Sequence, residues 1–225
     1  MKNFNENWIT IFTNIFEVRN KIIKSGIENI EHDEMIDILI NNLEEEYHSL
    51  IENMAMKYID QLRSDQYEFY SIDESNSEFN IYICIQYFRT ENRKEKLLEG
   101  ISKKENINIE NIWNVLRIIM ATNMAALLSI NKEHWELIFL KNENDIAFIT
   151  GDQPVINLAA KHGEKTERLE LYYPITPTSA IIIKRKTNQR VKEKYLSESE
   201  VIYYNNQIKN NSYQQIYALK ETDLP

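Results

Sequence analysis

Cysteine is almost absent from this chain. Cys84 stands alone among 225 residues, which excludes an intrachain disulfide and a Cys-rich zinc site and suits a reducing cytoplasm. Glycine and proline are nearly as scarce, four of each, so long elements with few sharp turns are expected. No apolar run approaches the roughly 20 residues of a membrane span, and the opening MKNFNENWIT lacks the long apolar stretch of a secretory signal. The most apolar helix candidate, Val115 to Ile130, is interrupted by Arg117, Thr122, Asn123 and Ser129 and reads as a core helix. A basic excess is missing too: the formal net charge is -9, against the positive surface that general nucleic-acid coating requires. Nor is there a Gly-rich phosphate loop, a Ser-His-Asp order or a zinc-ligand spacing, so no motif fixes a reaction, a metal or a cofactor.

What is present is an ordinary globular composition, 43% hydrophobic and 27% charged, at a length that buries a real core. The periodicity divides the chain. Residues 1–132 are mainly helical, with apolar positions at helical spacing in four segments: about Asn5 to Lys24, Asp33 to Leu62, a third capped by Asp73 or Ser77 and continuing toward Leu98, and Ile107 to Ile130. Arg63 to Ser77 reads as a partly packed connection. Ile81 to Ile85 alone would pass for a strand, but it joins the helix-favouring run Glu91 to Glu99 and is assigned to the third helix.

Residues 133–190 change to strand patterning. Trp135 to Leu140 and Ile146 to Thr150 flank a hairpin-like connection, Val155 to Leu158 continues or restarts a strand, and Leu169 to Ile175 and Ala180 to Lys186 are two more strands around Pro174 and Pro177. A closing segment, 197–217, holds a helix from Glu198 to about Gln215 capped by Ser197. The whole, 1–225, reads as one α+β domain: a helical half, a small antiparallel sheet and a C-terminal helix.

Candidate chemistry centres on Ile146 to Ile156. There an apolar strand runs into Gly151, Asp152 and Pro154, which presents a carboxylate at a strand end. Asp152 could bind a metal or act as a general base; its structural alternative is a turn in which the carboxylate accepts backbone N–H groups ahead of Pro154. Gln86, Arg89 and Arg93 lie at i, i+3 and i+7, a fork suited to a phosphate or carboxylate, the alternative being an internal pair of Arg89 with Asp152 or with a helix-borne Glu. Glu45, His48 and Glu52 share a helix face with Glu-x-x-His spacing, but the second such pair that a carboxylate-bridged metal bundle needs is missing. Lys184, Arg185 and Lys186, with Arg190, Lys192 and Lys194, form the one basic cluster, a solvated strand end or a docking point for a polyanion such as nucleic acid.

Two of these blocks carry a family resemblance. Ile85-Gln86-Tyr87-Phe88-Arg89-Thr90 and the later Phe148-Ile149-Thr150-Gly151-Asp152-Gln153-Pro154-Val155 resemble the bacterial family known as domain of unknown function 4238, in which a Gln-aromatic-aromatic-Arg-Thr helix precedes a strand ending in Ser/Gly-Asp-x-Pro. Tyr173-Pro174-Ile175-Thr176-Pro177 followed by Ala180 to Ile183 is similar to that family's proline-flanked strand, and Asn205 or Asn206 falls where its final helix often has Asn. The similarity covers about Leu43 to Leu219. Family members usually open with a His-Tyr-x-Pro-type segment, which this chain does not show, and the resemblance implies no established activity.

Two functions compete on these readings. One is a binding or interaction module with an internal Arg89–Asp152 pair and an exposed aromatic surface for a protein partner. The other is a metal-dependent hydrolase or nuclease-like enzyme in which Asp152, Arg89, Gln86 and Glu52 converge as the catalytic group.

Overall fold

The computed structural model describes residues 30–90, 94–95, 113–160, 168–187 and 192–225. The expected first helix, the start of the fourth at 107–112, Arg93, Arg190 and most of the 160–168 loop lie outside these residues. Helix α1 (Ile30–Arg63) buries Tyr47, Ile51, Ala55, Tyr58, Ile59 and Leu62, a stripe at three- and four-residue spacing. It ends in a turn at Asp65, whose φ of 58° is positive. The connection that follows is packed as expected. A short 3-10 turn, Glu68–Ser71, drives Phe69 and Tyr70 into the core, and Tyr67 stacks on Phe139 with ring centroids 5.3 Å apart.

Helix α2 (Asp73–Phe88) is the centre of the helical layer, buried from Phe79 to Phe88 without a break. Its continuous apolar run therefore belongs to a helix enclosed on all sides rather than to a strand. Two buried amides on it, Asn76 and Asn80, are satisfied internally: the Tyr70 hydroxyl donates to Asn80, and Asn80 donates to Asn76 and Ser129. Helix α2 does not continue toward Leu98 as the charged run predicted. It stops with Arg89 in the C-cap position. There Arg117 of α3 (Trp113–Ile130) donates to the Arg89 carbonyl at 3.2 Å, placing a cation where the helix dipole is negative, and the next residue, Thr90, is turned inward and buried.

Among the described residues seven strands follow: β1 (Trp135–Lys141), β2 (Thr150–Gly151), β3 (Ile156–Asn157), β4 (Glu170–Thr176), β5 (Ser179–Arg185), β6 (Glu193–Tyr195) and β7 (Ile216–Tyr217). Five form one sheet in the order β3-β4-β5-β1-β6, and β2 pairs with β7 in a separate ribbon. The main sheet is mixed rather than antiparallel as expected, because β6 runs parallel to β1 while the other neighbours are antiparallel. Pro174 is tolerated in β4, an inner strand, because β3 pairs only with Leu171 and Tyr172 and ends before it.

Strand alternation splits the core into two layers. Leu137, Phe139, Leu171, Ile181 and Ile183 face the helices α1, α2 and α3. Ile138, Leu140, Tyr172, Ala180 and Ile182 face the closing helix α4 (Glu198–Asn211), which contributes Val201, Tyr204 and Ile208. Ser197 does sit at the α4 N-terminus, where its amide donates to the Glu200 carboxylate at 2.9 Å.

The predicted hairpin between β1 and Ile146 to Thr150 does not form. β1 takes β5 and β6 as its neighbours. The segment between is diverted by Asn142, whose amide donates to the carbonyl of Ile146, and by Asn144, whose amide donates to that of Leu196. Residues 146–149 then run as irregular chain. The Ala147 amide goes to the Asp223 carboxylate at 2.9 Å, the Ile149 amide to Asn205 Oδ1 at 3.1 Å and the Phe148 amide to the Pro177 carbonyl. Helix α4 is also shorter than predicted, ending at Asn211 rather than near Gln215, since Tyr213, Gln214 and Gln215 turn to a different acceptor.

Candidate functional site

That acceptor is Asp152. Its Oδ1 receives the Tyr213 amide at 2.8 Å, and its Oδ2 receives the amides of Gln214 and Gln215 at 2.6 and 3.0 Å. The Asp152 amide in turn donates to the Gln215 carbonyl. Burial alone would raise the carboxyl pKa, but the amides of Gln214, Tyr213 and Gln215 outweigh it and hold the group below its ordinary value. Gly151 makes this approach possible: a Cβ there would lie 2.1 Å from Ser212 Oγ and 2.8 Å from the Gln215 carbonyl oxygen. Asp152 is thus a backbone-bonded group, but not through the local turn ahead of Pro154 that its structural alternative described: its amides come from 213–215.

The expected pair of Arg89 with Asp152 is not present. Arg89 instead bonds Glu52 of α1, Nη1 to Oε1 at 2.5 Å, with both side chains partly exposed at 39% and 48%. The two family blocks nevertheless meet, one residue further along each. Thr90 donates to Gln153 Oε1 in a short buried hydrogen bond, and Gln153 Nε2 donates to the Val155 carbonyl at 2.6 Å and the Tyr87 carbonyl at 3.5 Å. Neutral, fully hydrogen-bonded groups are cheaper to bury than an ion pair, which is why the buried joint is an amide and a hydroxyl while the charges stay at the edge.

Around Glu52 and Arg89 a second group of polar side chains gathers. His48 lies one turn before Glu52 on α1 and within electrostatic range of both charges. Its pKa falls to about 4, chiefly through burial, with the positive charge of Arg89 adding to the effect and Glu52 opposing it. The histidine is therefore neutral at pH 7. Tyr82 of α2 and Tyr173 of β4 share a hydrogen bond between hydroxyls at 3.0 Å. Burial raises the pKa of both, and both feel the charges of Glu52 and Arg89.

Gln86 falls between Tyr82 and Arg89, a turn from each. It is 8% exposed, and its amide is not among the buried side-chain atoms that lack a hydrogen-bond partner. Glu45 of the expected metal face is exposed a turn away from His48, and among the described residues no three His, Cys, Asp or Glu side chains are grouped to hold a metal ion.

Of the four residues singled out in the sequence, then, Arg89 and Glu52 form one ion pair, Gln86 lies a turn before Arg89 on α2, and Asp152 belongs to a backbone clasp. The tyrosine pair and the Thr90–Gln153 joint were missed. Gln153 and Thr90 carried the only available signal, since both lie inside the blocks that bear the family resemblance.

The basic cluster is divided by the sheet. Lys184 stands on the α4 face, opposite Glu136 and Glu170 in register. Arg185 points to the other face, over the Trp135 ring at 5.9 Å. Lys194 pairs with Glu200 at 2.5 Å. Among the described residues no helix is long and apolar enough to cross a membrane.

Neither a curated protein nor a solved structure matches the chain. The family model of DUF4238, a protein of unknown function, matches residues 29–222, a span that takes in α1, the Thr90–Gln153 joint, the whole sheet and α4. The chain belongs to the DUF4238 family.

Proposed function

We propose that the protein is a binding module of the bacterial cytoplasm that holds a small polar ligand at the Arg89–Glu52 cluster. The observation that supports this reading is the Arg89–Glu52 pair, two opposite charges that are open to solvent, with Gln86 beside Arg89 on α2. The Gln86 side chain is mostly covered, yet its amide is not among the buried side-chain atoms that lack a partner, so the amide is reached from solvent, one turn before Arg89. Every other buried amide on α2, at Asn76 and Asn80, is hydrogen-bonded. An accessible amide on the same helix as a guanidinium bonded through Nη1 offers a polar molecule both donors and an acceptor.

The hydrolase reading has less support, because Asp152, its intended base, is occupied by three amides, and a histidine with a pKa near 4 is a weak base at neutral pH. The divided basic cluster likewise offers nucleic acid little continuous positive surface. A protein partner is compatible with the same module if the partner supplies the polar group.

The test is a thermal-shift screen of common metabolites on the intact chain and on Gln86→Leu. Compounds that raise Tm of the wild type by several degrees are expected to leave Gln86→Leu unmoved, while Gln86→Leu itself melts no lower than the wild type. A screen in which nothing shifts the wild type, or in which both proteins shift alike, would overturn the reading.

A further inference from the structure

We infer that two copies of this chain associate through the outer face of α3, with Asn123 of one copy set against Asn123 of the other. The observation is what that face carries. Helix α3 turns Ile118, Ala121, Ala125 and Leu128 into the core and leaves Ile119, Asn123, Ala126, Leu127 and Ile130 outside. Among its described side chains, no exposed one is charged. Leu127 is 60% exposed and Ile130 76%, and at i, i+3 they are neighbours on the helix surface. They form a patch, unlike apolar residues scattered singly.

The other long helices expose apolar residues in different company. Leu50 and Met56 of α1 stand among the exposed Glu46, Glu52 and Lys57, and Ile202 and Tyr203 of α4 among Glu198 and Lys209. Covering either of those surfaces would strip water from charges, which is costly. The α3 stripe can be covered without burying any charge.

The occupant follows from charge and spacing. At a formal net charge of -9 two copies repel one another, so they meet most readily where neither presents a charge. A nucleic acid or a charged peptide would find no opposite charge on this stripe. Leu116, Ile119, Asn123, Ala126 and Ile130 recur at alternating three- and four-residue steps, the a and d positions of a heptad seam, on which one helix packs against another of the same pattern.

A two-fold axis brings a residue against itself where it crosses such a seam. Asparagine suits that point, because its amide both donates and accepts and can therefore bond its own copy. A single Asn in an apolar seam also fixes the register of the two helices. Asn123 is the middle member of the five.

Sedimentation velocity of the full chain at micromolar concentration should give a dimer. Leu127→Glu and Ile130→Glu, at positions too exposed to threaten the fold, should each weaken it on the order of 100-fold, with circular dichroism melts showing that both are folded. Tyr203→Glu on α4 should leave the dimer unchanged. Asn123→Cys tests the register: Cys84 is fully buried, so a short bis-maleimide should link two copies of this variant and should not link two copies of Tyr203→Cys. A full chain that sediments as a monomer overturns the inference, since the stripe is then covered by residues 5–24 or by a different protein. A dimer that survives both glutamates, or that Asn123→Cys fails to link, meets through another surface and overturns it equally.

Discussion

Asp152 and Arg89 lie on neighbouring stretches of chain, each one residue from the Thr90–Gln153 bond, yet the protein treats their charges in opposite ways. The carboxylate accepts three backbone amides from 213–215 and helps tie down the C-terminal segment. That region is closed: Asn205 and Asp223 complete it by taking the amides of Ile149 and Ala147, and the backbone groups meet inside the protein. The guanidinium pairs with the Glu52 carboxylate, both side chains partly exposed. A charge satisfied by backbone holds the fold; one paired at the surface is free to exchange partners.

Substitutions should separate the two regions by their effect on stability. Asn205→Ala should cost most, about 3 kcal/mol, since it deprives the Ile149 amide and the Ala147 carbonyl of their buried partner at once. A urea melt with the midpoint lowered and the slope unchanged is the expected result, and a midpoint within error of wild type would show that 146–149 is held by other means.

Asp152→Asn follows at about 2 kcal/mol, the charge-assisted part of its three bonds. It should also flatten the acid limb of the stability curve. The folded carboxyl titrates below its ordinary value, so its contribution is fully present above about pH 4 and is lost as pH falls through the folded value. A variant that retains the wild-type acid limb would argue that the clasp is weak.

His48→Gln tests the open region. The folded pKa is about 4 against the ordinary 6.5, so the unfolded chain binds the extra proton in between. Wild-type stability should thus decline as pH falls from 6.5 toward 4, and the variant should lose that slope. Arg89→Ala should do least, under about 1 kcal/mol, as befits a partly exposed pair. A loss of several kcal/mol would mean that Arg89 is as structural as Asp152 and would remove the contrast.

Much of the architecture was legible along the chain. The helices on Tyr47 to Leu62, Phe79 to Phe88 and Trp113 to Ile130 and the strands on either side of Pro177 follow from local periodicity, which depends only on how often an apolar face recurs. Apart from the early stop of α2 at Phe88, the failures were matters of partner choice. Ile146 to Thr150 has strand composition, but Asn142, Asn144, Asn205 and Asp223 satisfy its surroundings from as far as 76 residues away. The parallel strand β6 was invisible because three residues carry no period of their own.

What the sequence determined by itself is the α+β order of elements, the family to which the chain belongs and the short set of polar residues worth examining, because periodicity and motif order are properties of neighbouring positions. Which carboxylate meets Arg89 was decided only in three dimensions. Glu52 and Asp152 are both plausible on charge alone, and the choice was made by the docking of α1 on α2 and by the turn after Asn211, whose amides bind Asp152. Coulomb attraction does not name its partner; the packing of the surrounding elements does.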